Sequence, residues 1–335
     1  NRSFVLMPAG KPRGAVVLLH GLTDSPYSVR HLAENYQKHG FVAVVPRLPG
    51  HGTAPGALTD VDWEAWLAAT RLAVREATRL TGNDLPLHLV GYSNGGALAM
   101  KYALDALDAP ELRKPQQIVL LSPMIGVTAF ARFAGFAGLP AMLPAFAKAA
   151  WLNISPEYNP YKYNSFPVNA ARQSWLLTQA LHEQINRDVH DHKLAQFPPV
   201  LAFQSVMDST VSTRAVVSGL FDQLPANGSE LVVFDINQAG SFRPLFRPSS
   251  WTAVADMLPK AKRRYSVTIV TNASPDRFDM VTKTTPAGST RETVMPLSVA
   301  YPQEVYSLSH VAIPFPPDDD LYGRHPEVKN QYGID

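Results

Sequence analysis

Short apolar runs alternate with amphipathic stretches along the first two-thirds of the chain. "AVVLLH" (15–20) is a continuous Val- and Leu-rich run that stops at Gly21, which predicts a strand buried on both faces. "SPYSVRHLAENYQKHG" (25–40) follows with helical spacing. Val29, Leu32, Ala33 and Tyr36 share one face, and Gly40 marks the end. "FVAVVP" (41–46) predicts a second strand. Residues 60–80 predict a helix with Trp63, Trp66, Leu67, Thr70 and Val74 on one side. "LPLHLVG" (85–91), a helix over 95–107, "QQIVLLSP" (116–123), "PPVLAFQSV" (198–206), a helix over 213–224 and "SELVVFDIN" (229–237) continue the alternation. Strands alternating with helices predict an α/β fold with a mostly parallel central sheet flanked by helices. The near-continuous apolarity of the strands fits a sheet covered on both faces.

Two regions break the rhythm. Residues 124–196 hold no strand pattern and are rich in Phe, Ala, Met, Leu and Trp, which predicts a helical cap over the sheet. Residues 238–304 hold a helix pattern at 249–258, an alternating strand at 263–271 and a Thr-, Pro- and Gly-rich section at 282–293. One more helix and strand at the sheet edge, then a loop or hairpin, is the simplest account. The organisation expected is thus a core of residues 1–123 and 197–335, interrupted by a cap at 124–196, with 238–304 as an atypical insertion.

The apolar fraction of 46% over 335 residues is enough for one large α/β domain. Lys and Arg total 30 against 28 Asp and Glu, a net charge of +2, so nothing points to a nucleic-acid partner; the short run Lys260–Arg264 reads as a solvated helix end. There is no cysteine, which excludes disulfides, thiolate metal sites and a cysteine nucleophile. No run is long and apolar enough to predict a transmembrane helix. On that ground a soluble protein is expected; the first residue is Asn1 rather than Met, which leaves the compartment open between cytoplasmic and exported after removal of an N-terminal segment.

Candidate chemistry enters at "LVGYSNGGALAM" (89–100). Gly91-Tyr92-Ser93-Asn94-Gly95 fits G-x-S-x-G directly between a predicted strand and a predicted helix. A turn that tight strains its central residue and exposes its hydroxyl, and the glycines let strand and helix pass closely. The Asn94 amide, at the helix N-terminus, can donate to an oxyanion. "LLHGLTDSPYS" (18–28) offers Leu22 as the second donor, with His20 as a structural histidine. "LPGHG" (48–52) reads as a turn bordering the rim.

A serine needs a base oriented by an acid. In a parallel sheet these groups gather at the strands' carboxyl ends, in the order serine, acid, histidine. His310, in "VYSLSHVAIPF" (305–315), fits that order; His325 in the polar tail is the later competitor. Asp208, in the turn after "VLAFQSV", is the expected acid, with Asp235 as runner-up. The acidic "PPDDDLYG" (316–323) reads as a solvated run, because its aspartates lack the spacing of a calcium loop.

Together these residues resemble the α/β-hydrolase superfamily. The closer likeness is to its monoacylglycerol-lipase and carboxylesterase branch, grouped with the serine-aminopeptidase-like hydrolases. "HGLTDSPYSVRHLAENYQKHGFVAVVPRLPGHG", "GYSNGGALA", "MDSTV" and "SHVAIPF" carry the resemblance. It implies a serine hydrolase with the triad Ser93, Asp208 and His310, an oxyanion hole at Leu22 and Asn94, and no metal or cofactor. The departure is the stretch of about a hundred residues between Asp208 and His310, which implies an extra C-terminal subdomain or sheet-edge extension. The expected substrate is a small ester or lipid with a short or medium acyl chain, monoacylglycerols included. Tyr92, Phe130, Phe133 and Met142 are the candidate pocket residues. An acyltransferase or a peptidase on the same triad, or a non-catalytic binding protein, are the alternatives.

Overall fold

The computed structural model describes residues 1–126, 150–208, 210–239, 253–258, 261–303, 305–308, 310, 313 and 315–323. The predicted strands become β2 (Gly14–Leu19), β3 (Phe41–Val45), β4 (Leu87–Tyr92), β5 (Gln117–Leu121), β8 (Val200–Ser205), β9 (Glu230–Phe234) and β10 (Ser266–Asn272), which pair in parallel in the order β3-β2-β4-β5-β8-β9-β10. β1 (Phe4–Leu6) pairs antiparallel with β3. At three residues it is too short for periodicity to mark.

The strands are apolar throughout because each feeds two cores. In β2, Ala15, Val17 and Leu19 face one layer, while Val16 and Leu18 face the other. Successive side chains on a strand point to opposite faces, so a continuous Val/Leu run is what a doubly covered sheet requires. Each such side chain stabilises the fold by about 1.5–3 kcal/mol. On the second face lies α1 (Arg30–Lys38), preceded by a short 3-10 turn from Pro26 to Val29. Val29 of the turn and Leu32, Ala33 and Tyr36 of α1 pack there, the face expected from spacing. On the first face lie α2 (Trp63–Thr81) and α3 (Asn94–Asp108), which bury Trp66, Leu67, Thr70, Val74 and most of the Ala-rich face of α3.

The expected cap region departs from its pattern in two places. Trp151–Asn153 (β6) and Phe166–Pro167 (β7) form a two-stranded antiparallel ladder where no strand was expected. Segments of three and two residues carry no readable period. α4 (Val168–His190) then packs Leu177, Leu181 and Ile185 into the same core as α2 and α3. Tyr163 lies over the rim, where its hydroxyl donates to Gly50 O at 3.0 Å and accepts from Thr53 N at 2.9 Å. Phe130, Phe133 and Met142 lie outside the described residues.

After β8 come α5 (Thr213–Gly219), β9, α6 (Ala253–Met257) and β10. β11 (Asp279–Thr285) and β12 (Thr293–Ala300) then form a hairpin that continues the same sheet antiparallel beyond β10, giving ten strands among the described residues. The Thr-, Pro- and Gly-rich section is therefore the tip of this hairpin, and the sequence excursion is a sheet-edge extension. Among the described residues no helix is long and apolar enough to cross a membrane.

Candidate active site

The sheet reverses its winding between β2 and β4. The helix after β2 lies on one face and the helix after β4 on the other. Register pairs Leu19 with Gly91, so the two strand ends lie side by side. A crevice at the carboxyl ends of the strands forms at such a switch point. The loop holding Leu22 and the turn holding Ser93 leave from these neighbouring ends.

Ser93 has φ 51° and ψ −114°, a backbone conformation that L residues rarely adopt. Neighbouring backbone holds it there. Its N–H donates to Leu121 O at 2.9 Å, and its carbonyl accepts from Gly96 N at 2.9 Å and Met124 N at 3.0 Å. The glycines are required by contact. A Cβ on Gly91 would lie 2.4 Å from Gly95 O, and one on Gly95 would lie 2.2 Å from Leu19 O. Asn94 is fully buried and opens α3, where the first N–H groups have no intrahelical partner. Both polar atoms of its side chain lack a hydrogen-bond partner among the described residues.

The Leu22 loop is held by histidines. His20 Nδ1 donates to Gly21 O at 2.9 Å while Nε2 accepts Leu48 N at 3.2 Å, which fixes the neutral tautomer. Burial, then the neighbouring His51 charge, holds its pKa well below the ordinary histidine range. His51, edge-on to His20 with ring centres 4.9 Å apart, places Nε2 at 2.7 Å from Leu22 O and Nδ1 at 3.0 Å from Pro49 O. Burial also lowers its pKa. "LPGHG" thus braces the loop from behind. The Asp24 carboxylate and the Tyr92 ring both crowd the side of Gly21 where a Cβ would be added. Burial pushes its pKa up, against the charge of Lys162 and a hydrogen bond from Ser28.

The long excursion ends by bringing His310 to Asp208. Nδ1 of His310 lies 2.9 Å from Asp208 Oδ2, with the carboxylate fully shielded. Oδ1 accepts Thr210 N and Val211 N, each at 2.9 Å, and Oδ2 also accepts Gln204 Nε2 at 3.1 Å. The His310 ring rests on Tyr92, the residue before Ser93, with ring centres 5.3 Å apart. Burial pushes the Tyr92 hydroxyl upward in pKa. Asp235, the runner-up acid, is engaged elsewhere: it accepts Ile236 N at 2.8 Å and Thr271 Oγ1 at 3.0 Å. His325 lies outside the described residues.

Polar ties carry the His310 segment across the sheet edge. Asn237 Nδ2 donates to Val305 O at 2.8 Å and Pro302 O at 3.2 Å, and Tyr301 OH donates to Asp235 O at 2.8 Å. Beyond His310, Ile313 and Phe315 pack into the α1 face. Asp319 corrects the expectation of a solvated acidic run. It is 5% exposed, pairs with Arg30, and meets His31 Nε2 at 2.6 Å, while Asp318 and Asp320 are exposed. Among the described residues no group of three or more metal-ligating side chains converges.

Residues 10–235 match the family described as serine aminopeptidase, S33 (Hydrolase_4). The chain belongs to this hydrolase family. The matched span contains Leu22, Ser93 and Asp208 and ends before His310, which follows the sheet-edge hairpin. A curated relative, a thermostable monoacylglycerol lipase from Bacillus sp. (strain H-257), is 36% identical over 89 residues, covering 26% of this chain and 34% of its own. Among solved structures, one reported for the metagenome-derived lipolytic enzymes LipS and LipT superposes with a TM-score of 0.55 at 20% identity, covering 76% of this chain and 96% of that one. A soluble variant of monoglyceride lipase from Saccharomyces cerevisiae gives 0.53 at 13% identity, covering 69% and 81%. These structural likenesses establish the α/β-hydrolase fold.

Gln204, which donates to Asp208 Oδ2, and its neighbour Ser205 are not singled out by the sequence reading. Their signal was two polar residues closing an otherwise apolar strand just before the acid.

Proposed function

We propose that the chain is a serine hydrolase of the carboxylesterase and lipase type, acting through an acyl-enzyme on Ser93. The observation that carries this reading is the His310–Asp208 contact of 2.9 Å, with the His310 ring against Tyr92, the residue before a serine held in a strained strand-to-helix turn. With Nδ1 committed to Asp208, Nε2 is the nitrogen left to take a proton. His310 accepts the Ser93 proton as Oγ attacks the ester carbonyl. The N–H groups of Leu22 and Asn94 receive the oxyanion, aided by the positive end of α3. The intermediate expels the alcohol, which leaves with the proton held by His310. Water then gives a proton to His310 and attacks the acyl-enzyme, and the carboxylic acid departs as Ser93 regains its proton. No step calls on a metal or an organic cofactor.

Short or medium acyl esters, or monoacylglycerol-like lipids, are the substrate class we favour. The support is the Phe-, Met- and Leu-rich insertion before the described residues resume at 150, together with relatives named as lipases. The expected cap span remains 124–196, and within it α4 packs Leu177, Leu181 and Ile185 into the core helical layer. Phe130, Phe133 and Met142 fall within it, and Tyr92 forms the floor beside His310.

A panel of p-nitrophenyl esters of graded acyl length, run on wild type and Ser93→Ala, tests the reading. Turnover should depend on Ser93 and pass through a chain-length optimum, and a fluorophosphonate should label Ser93. Faster cleavage of an aminoacyl arylamide than of the matched ester would replace the esterase reading with a peptidase one. Dominant transfer to added alcohol would make the protein an acyltransferase.

A further inference from the structure

β8 ends in two polar residues, Gln204 and Ser205, that are both fully buried. Burying an amide and a hydroxyl costs free energy unless each finds partners, so their bonds show what they are for. Gln204 Nε2 donates to Asp208 Oδ2 at 3.1 Å, the same oxygen that faces His310 Nδ1 at 2.9 Å. It also donates to Thr213 Oγ1 at 3.1 Å. Thr213 Oγ1 spends its own proton on Ser205 O at 2.7 Å, so it meets Gln204 as an acceptor. Two acceptors on one side require the nitrogen of the amide there; the oxygen would face a carboxylate. Gln204 Oε1 is buried without a partner among the described residues, so the bonds to Nε2 alone orient the side chain.

Ser205 addresses the other half of the pair. Its Oγ donates to Leu308 O, two residues before His310 and 103 residues away along the chain, while accepting Met207 N at 3.3 Å. Adjacent residues of one core strand therefore hold the acid and the segment that delivers the base.

We propose that Gln204 and Ser205 are a paired positioning device for the Asp208–His310 couple. Gln204 fixes which lone pair of Asp208 meets the imidazole and shares the charge of that oxygen. Ser205 fixes the His310 segment against the same strand end. This rests on the serine-hydrolase reading above. The device answers the problem set by the long excursion: a histidine carried in by a sheet-edge extension has to be registered against the core. The titratable groups facing the couple are Tyr92 beneath His310 and Asp24, whose charge reaches His310 from the Leu22 loop.

Steady-state kinetics on p-nitrophenyl butyrate test it with three variants. Gln204→Met should lower kcat about tenfold with KM within about twofold, the loss of one hydrogen bond to a charged group. Ser205→Ala should act similarly on kcat. Gln204→Glu adds a carboxylate beside Asp208 and favours the protonated imidazole, so the acidic limb of kcat/KM should move up by about one pH unit. Residues that merely fill space would leave that limb in place. Unchanged kcat in both neutral variants, or an unmoved limb in Gln204→Glu, overturns the proposal. A second measurement uses the wild-type chain labelled with 15N. The Gln204 side-chain amide resonance should titrate with the same midpoint as the His310 ring, and a resonance that stays fixed overturns the proposal even if the variants fail to fold. Wild type without Ser93-dependent turnover would instead sink the hydrolase reading, with the resonance titration still deciding the positioning role.

Discussion

His310 Nδ1 and Asp208 Oδ2 meet at 2.9 Å although 102 residues separate them in the chain. Between them the chain completes β9, adds β10 and a two-stranded hairpin to the sheet edge, and returns across the ends of β9 and β8. Replacing the charge without the shape tests this contact. Asp208→Asn should lower kcat by about 10³–10⁴-fold, since a neutral amide cannot stabilise the imidazolium and accommodates the wrong tautomer. Titrating active sites with a fluorophosphonate during the kinetic measurement separates slow turnover from a smaller active fraction. A loss below tenfold would remove Asp208 from the mechanism.

Gly95 touches backbone on the side where a Cβ would be added, 2.2 Å from Leu19 O. Neither strand nor helix can yield without opening the Ser93 turn. Gly95→Ala should destabilise the fold by about 3 kcal/mol or more, read as a lower urea midpoint. Gly10→Ala, where nothing lies within 4 Å, should leave the midpoint in place and serves as the control.

Asp319 should make stability pH-dependent. Burial alone would raise its pKa. The His31 hydrogen bond, the Tyr322 and Leu321 N–H groups and the Arg30 charge outweigh burial and hold it below the ordinary carboxylate range. Its stabilisation is therefore present above the unfolded carboxylate value, about 4, and is lost as pH falls through the folded value. Asp319→Asn should melt well below wild type at pH 7, and the two melting curves should converge as pH is lowered below 4. A constant gap would show that the ion pair contributes nothing.

Asp188, on α4, has the opposite sign. It is fully buried with neither carboxylate oxygen partnered among the described residues, and burial, then the Asp108 charge, raises its pKa. A raised acid favours the fold while protonated, and that contribution is lost as pH rises through the folded value. Asp188→Asn should therefore melt above wild type at pH 7 by calorimetry, with the difference shrinking towards pH 4. A variant less stable at both values would mean that the carboxylate is paired through water.

Much of this fold and half of the site were legible as pattern. Val16 and Leu18 alternate with Ala15, Val17 and Leu19 between two cores, so the run had to be apolar throughout. Ser93 was legible because its turn is local: the strand, the glycines and the helix start all fall within twelve residues. Asp208 and His310 were legible by residue type and chain order, but their meeting was not. β1, β6 and β7 escaped because two or three residues carry no period.

The sequence by itself determined what depends on neighbours along the chain: the doubly buried strands, the helix faces and the strained serine turn. The tertiary structure decided what depends on register between distant segments. It turned the Thr- and Pro-rich stretch into a hairpin at the sheet edge, converted Asp319 from a solvated charge into a buried ion pair, and brought His310 to Asp208 under the hold of Gln204 and Ser205. The physical reason is that a hydrogen bond between residues a hundred positions apart leaves no period in either segment; it exists only once the sheet has fixed where each strand ends.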